Sequence, residues 1–103
     1  MSSETLEEVI IEKQEEVKKP SKYSIFLIND DVTPFEFVIY VLMSVFNKNE
    51  EDAYKITMDV HKNGEGVAGS NYSKENAKNK LKKIKDLNQQ YNLNLQAECR
   101  EQK

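Results

Sequence analysis

Three side chains of this 103-residue chain could together hold a cation. Asn29 offers an amide donor and acceptor, Asp30 a carboxylate, and His61, when neutral, one ring nitrogen as acceptor. An ammonium group suits them, because burying one without charge-assisted hydrogen bonds costs more than the contact returns. Ile28, Phe35, Val38, Thr57, Val60 and Leu93 could line an apolar hollow beside them. An ammonium next to a large apolar side chain describes the N-terminus of a peptide. From the residues alone, however, His61 fits a satisfied, partly buried histidine better than a ligand. Two other chemistries compete. Asp30 and Asp31 could hold Mg²⁺ as in phosphoryl-transfer domains, but such a site needs a further carboxylate, and the candidate Asp59 falls inside a helical pattern. Cys99 could pair with His61 as nucleophile and base, but no signature supports this and an inert cysteine in or near a strand suits it better. No catalytic residue, metal or cofactor is expected.

The elements that must position these groups are legible around Asn29–Phe37. Tyr23 to Ile28 (YSIFLI) is aromatic and β-branched and reads as a strand. Thr33, Pro34 and Glu36 spell a capping box, with Pro34 at the first helical position, and predict a buried helix from Pro34 to about Phe46. Asn49 before Glu50, Glu51 and Asp52 starts a second helix, with Ala53, Ile56, Thr57 and Val60 on its inner face and Gly64 as its stop. His61 lies four residues after Thr57 and so shares that face. Val67 and Ala68, between glycines, predict a short strand. Ser73 caps a third helix to about Tyr91, with Ala77, Leu81, Ile84 and Tyr91 inward and six lysines between Lys74 and Asp86. The alternation of Leu93, Leu95 and Ala97 predicts a last strand. The fold expected is a small α+β sandwich, β-α-α-β-α-β, one short sheet packed on helices.

Composition bounds the rest. Residues 1–20 hold six glutamates and three lysines, end at Pro20, and read as a flexible N-terminal extension, leaving 21–103 as a core domain. The net charge of −3 excludes a generally basic nucleic-acid binder. The single cysteine rules out an intrachain disulfide and points to a reducing compartment. The apolar segment 35–46 has 12 residues, against about 20 for a membrane span, so no membrane association is expected, and no secretory leader is evident.

The run YSIFLINDDVTPFEFVIYVLMSVF, Tyr23 to Phe46, resembles the ClpS family of adaptors, whose pattern is a strand, then Asn-Asp-Asp-x-Thr-Pro-Met-Glu-Phe-Val, then an apolar helix. Val60-His61 before the glycine-bounded Gly64–Gly69 is a second landmark, Tyr72-Ser73 with Glu75 and Lys80 a third, and a late leucine, matched to Leu93, a fourth. The resemblance spans about residues 20–98. It implies a non-enzymatic, monomeric adaptor in a bacterial-type cytoplasm or a plastid-like stroma. Such an adaptor binds N-degrons, proteins beginning with Leu, Phe, Tyr or Trp, and delivers them to the N-terminal domain of a Clp-type AAA+ unfoldase. By position, Asn29, Asp30 and His61 would hold the α-amine. Ile28, Asp31, Thr33, Phe35, Val38, Thr57, Val60 and Leu93 would shape the side-chain pocket, and Glu75 and Lys80 would dock on the unfoldase. The extension would serve delivery. Three departures stand out: Phe35 and Thr57 where most members have Met, and one extra residue near Ser70-Asn71. The alternative is an interaction domain of the same fold whose lysine-rich third helix binds an acidic partner.

Overall fold

The computed structural model describes residues 21–102; the expected extension, 1–20, lies outside them. Six elements follow in the expected order: β1 (Tyr23–Ile28), α1 (Phe35–Ser44), α2 (Glu50–Asn63), β2 (Glu65–Tyr72), α3 (Lys74–Tyr91) and β3 (Gln96–Glu101). The sheet is antiparallel with order β2-β1-β3, so the most apolar strand is central. Its period-2 alternation sends Ile25 and Leu27, both fully buried, toward the helices. Burying each such side chain stabilises by about 1.5–3 kcal/mol. Phe26, between them, faces the other way and carries the Arg100 guanidinium 4.1 Å from its ring centroid. Val41 and Leu42 of α1, Ala53 and Val60 of α2 and Ala77 and Ile84 of α3 complete the core. Among the described residues no helix is long and apolar enough to cross a membrane.

Local signals set most boundaries. The Asn49 side chain accepts from Asp52 N–H at 2.8 Å, the Ser73 hydroxyl accepts from Asn76 N–H at 3.1 Å, and Gly64 ends α2 in the left-handed conformation at φ 87°. Gly66 has a different role: a Cβ there would lie 2.9 Å from Val60 Cγ2, so the bare backbone lets α2 lie close on β2.

Several expectations need correction. The capping box does not form. Pro34, in extended conformation, is the N-cap of α1 without a side-chain bond, and the Thr33 hydroxyl turns back to Asp30. Helix α1 stops at Ser44 rather than Phe46, because Asn47 adopts φ 56° and Lys48 N–H returns to the Leu42 carbonyl. Strand β2 has eight residues, where a short strand at Val67–Ala68 was expected. It contains a bulge: between the pairs Tyr23–Tyr72 and Ile25–Gly69, β2 uses one residue more than β1. Asn71, at φ 64°, sits in that bulge, and its N–H and side chain are both held by Gln102. The extra residue seen in the sequence thus coincides with a local feature that leaves both flanking strands paired.

The last strand begins at Gln96, so Leu93 and Leu95 precede it. Asn92 turns the chain at φ 56°, and the Asn88 side chain grips both backbone groups of Leu95 at 2.9 and 3.0 Å. The apolar alternation there reflects a connection packed on the core rather than strand pairing. Tyr91, expected inward, is 48% exposed and lies edge-on to Phe37 and Tyr40.

Candidate functional site

The ends of three elements converge at one corner of the molecule. Asn29 follows the last residue of β1, and its N–H donates to the Gly64 carbonyl at the end of α2, 2.9 Å away. His61 occupies the last turn of α2, three residues before Gly64. Phe35 opens α1, and its ring meets His61 edge-on with centroids 5.1 Å apart. One backbone hydrogen bond and one aromatic contact therefore set Asn29, His61 and Phe35 around a common point.

Asp30 organises the loop between β1 and α1. Its Oδ1 accepts from Val32 N–H at 2.8 Å and Thr33 N–H at 2.6 Å, and its Oδ2 accepts the Thr33 hydroxyl at 2.8 Å. A carboxylate has about four acceptor positions, so one direction on Oδ2 stays available. Burial works to raise this carboxyl, but the hydrogen bonds from Thr33 and Val32 outweigh it and hold Asp30 below its usual range. The group is a fixed, ionised acceptor on the loop that follows Asn29.

The expected pocket residues divide by place. Val38, Thr57 and Val60 are buried, at 6, 2 and 3% exposure, and form apolar packing where α1 meets α2. The Thr57 hydroxyl donates to the Ala53 carbonyl at 2.7 Å, so this polar group enters the core already satisfied. Ile28 is half-buried, Asp31 is exposed, and Phe35 is 40% exposed. His61 is exposed rather than partly buried, which leaves its ring open to a ligand. Leu93 is elsewhere. It lines a hollow of about 420 Å³ with Pro34, Glu36, Phe37, Tyr40 and Tyr91, on the other flank of α1. Leu95, which the sequence placed in the last strand and not in the pocket, is buried next to the pair Gln96–Ile28.

Of the expected docking residues, Glu75 is exposed in the first turn of α3. Lys80 is half-buried. Its Nζ donates to the Val45 carbonyl at the end of α1, 2.8 Å away, and lies 6.0 and 5.8 Å from the ring centroids of Phe46 and Tyr72. It already has an internal role. Cys99 is exposed in mid-β3, opposite Ile25 rather than near the end of α2. Among the described residues, no group of three His, Cys, Asp or Glu side chains is placed to hold a metal, so Asp30 and Asp31 gain no third ligand there.

Comparison with known proteins gives a consistent picture. The family model described as ATP-dependent Clp protease adaptor protein ClpS matches residues 18–98. The ATP-dependent Clp protease adapter protein ClpS of Rhodospirillum centenum is 41% identical over 88 residues, 85% of this chain and 81% of that protein. Its counterpart from Caulobacter vibrioides is 46% identical over 78 residues, 76% of this chain and 71% of its own. That from Clostridium acetobutylicum is 45% identical over 87 residues, 84% and 85% of the two chains. The solved structure of Agrobacterium tumefaciens ClpS2 bound to L-phenylalaninamide superposes with a TM-score of 0.76 at 31% identity, covering 82% of this chain and all of that one.

Proposed function

The chain belongs to the ClpS family, adaptors of the ATP-dependent Clp protease and not themselves enzymes, and on that premise we propose that it captures N-degrons. The ligand is a polypeptide with a free α-amine and Leu, Phe, Tyr or Trp as first residue, handed on to the N-terminal domain of a Clp AAA+ unfoldase in a bacterial-type cytoplasm or plastid-like stroma. The observation that carries this reading is the Asp30 carboxylate, ionised and aimed by three hydrogen bonds, at the corner shared with Asn29 and His61. It supplies the counter-charge that a partly desolvated ammonium needs. A relative of the same fold, Agrobacterium tumefaciens ClpS2, binds L-phenylalaninamide, which joins an α-amine to an aromatic side chain. Asn29, Asp30 and His61 hold the amine. The first side chain enters past Phe35 toward Val38, Thr57 and Val60, with Ile28, Asp31 and Thr33 at the rim. Leu95, buried next to the Gln96–Ile28 pair, takes the place of Leu93 in this reading. Glu75 and Lys80 remain the docking pair, Lys80 through a side chain that also holds the end of α1. Titration with a Leu- or Phe-initiated peptide, free and N-acetylated, tests the reading. Binding of the free peptide and loss on acetylation are expected; equal binding of both would sink the proposal.

Phe35 should set selectivity. Its ring packs edge-on to His61 and leaves little room at the ligand's Cβ. Leu and the aromatic residues carry one substituent on that carbon, whereas Ile and Val carry two and are stiff at χ1. Phe35→Ala should therefore raise the affinity for Ile- and Val-initiated peptides relative to Leu by about tenfold, equivalent to about 1.4 kcal/mol. The gain is limited because the lost ring also takes away packing area. Peptides differing in the first residue alone, titrated against both proteins, measure it. A variant that still rejects Ile and Val would remove Phe35 from the gate.

A further inference from the structure

On the exposed side of α3, Lys78, Lys82 and Lys85 surround the half-buried Leu81, and with Asp86 and Gln89 they form a shallow groove of about 590 Å³. Positions 78, 81, 82, 85 and 89 share one helical stripe. The lysine stems extend the apolar floor while their charged ends stay in solvent. The groove is built from α3 alone, whereas the clamp is built from the ends of β1, α1 and α2.

The chain carries its own complement to this groove. Residues 4–16 hold Glu4, Glu7, Glu8, Glu12, Glu15 and Glu16 against one lysine, Lys13, and bring Leu6, Val9, Ile10 and Ile11 among them. The described chain starts at Ser21, and Tyr23 pairs with Tyr72, two residues before α3 begins at Lys74. The acidic segment thus joins the molecule at the end of the sheet from which α3 starts. Residues 17–22 can span roughly 20 Å when extended. Lys78 lies about 6 Å along the helix from Lys74, and Gln89 about 22 Å. The segment can be laid along the stripe.

We propose that residues 4–16 dock in cis on this α3 groove, their glutamates facing Lys78, Lys82 and Lys85 and their apolar residues covering Leu81. Each exposed Lys–Glu pair is weak and screened by salt. The tether compensates, since a short linker supplies an effective concentration in the mM range, so a contact of mM affinity is substantially occupied. The docking therefore forms and releases readily and weakens as ionic strength rises. It does not depend on the adaptor reading.

Amide spectra of the full chain test this without any N-degron peptide or protease. Converting Glu7, Glu8, Glu12, Glu15 and Glu16 to Gln should shift amides between Lys78 and Gln89 and leave the Asn29–Phe35 loop unmoved. A nitroxide on Cys99, the single and exposed cysteine, should broaden amides of residues 4–16, with intensities roughly halved or lower given the mM tether. The broadening should fade near 0.5 M salt, where the Debye length falls to about 4 Å. It should also fade in Lys78→Glu/Lys82→Glu/Lys85→Glu, and return when the segment's glutamates are changed to Lys in that background. Unchanged 78–89 amides in the Gln variant would overturn the proposal. So would broadening that persists in the lysine-reversed protein, broadening that grows with protein concentration, or 78–89 shifts elicited by an added acidic peptide while residues 4–16 stay unbroadened.

Discussion

Asp30→Asn is expected to weaken binding of a Leu- or Phe-initiated peptide by about 2–5 kcal/mol, roughly 30- to 4,000-fold, while the protein stays folded. The asparagine Oδ1 can still accept from Val32 and Thr33 N–H, and the Thr33 hydroxyl can turn from donor to acceptor for the new amide. The loop is kept and the charge is lost, which isolates the counter-charge from the scaffold. Asp30→Ala is a blunter test. It deletes three hydrogen bonds worth about 0.5–1.5 kcal/mol each and so loosens the turn that carries Thr33, Pro34 and Phe35. The pH dependence has a definite sign. The folded carboxyl sits below its usual range, so its contribution is fully present above the ordinary carboxylate pKa and is lost only as pH falls through the depressed value. A decline in affinity between about pH 7 and 5 therefore does not arise at Asp30. If Asp30→Asn binds the peptide as tightly as the wild type, the carboxylate is not the amine's partner.

Deleting residues 1–19 is expected to leave peptide affinity within about twofold, under 0.5 kcal/mol, and to abolish or sharply reduce degradation of an N-degron substrate by the cognate protease. Binding should survive because the corner of Asn29, His61 and Phe35 lies at the end of β1 remote from Ser21. Six strand residues separate them, about 20 Å. Delivery should fail because the adaptor reading assigns the acidic segment to that step, and its composition buries too little apolar surface to form a domain of its own. Fluorescence titration of the peptide and turnover of a degron-tagged reporter separate the two effects. Undiminished turnover with the truncated protein would reduce the segment to a linker.

What could be read from the sequence rested on signals complete within a few residues. The Asn49 and Ser73 caps, the Gly64 stop and the apolar strand at Tyr23–Ile28 need no distant partner, and each stands where its residues predict. With the Asn-Asp-Asp-x-Thr-Pro run they sufficed for the element order and the family. The tertiary structure decided the cases in which one residue had two possible partners. Thr33 can cap a helix or bind Asp30. With the end of β1 tied to Gly64, the loop presents Asp30 to it, and the cap is forgone. Lys80 reads as one of many surface lysines, yet α1 ends with the Val45 carbonyl within its reach and the side chain turns inward. Leu93 and Leu95 both match an alternating strand. The grip of Asn88 on Leu95 makes them a connection and sends them to different sides. Hydrogen-bond donors and apolar side chains are satisfied by whichever partner the packed chain brings within about 3–4 Å. For Leu95 and Lys80 that partner lay seven and thirty-five residues away, and for Thr33, whose partner is three residues away, the loop was set by a backbone tie thirty-five residues apart.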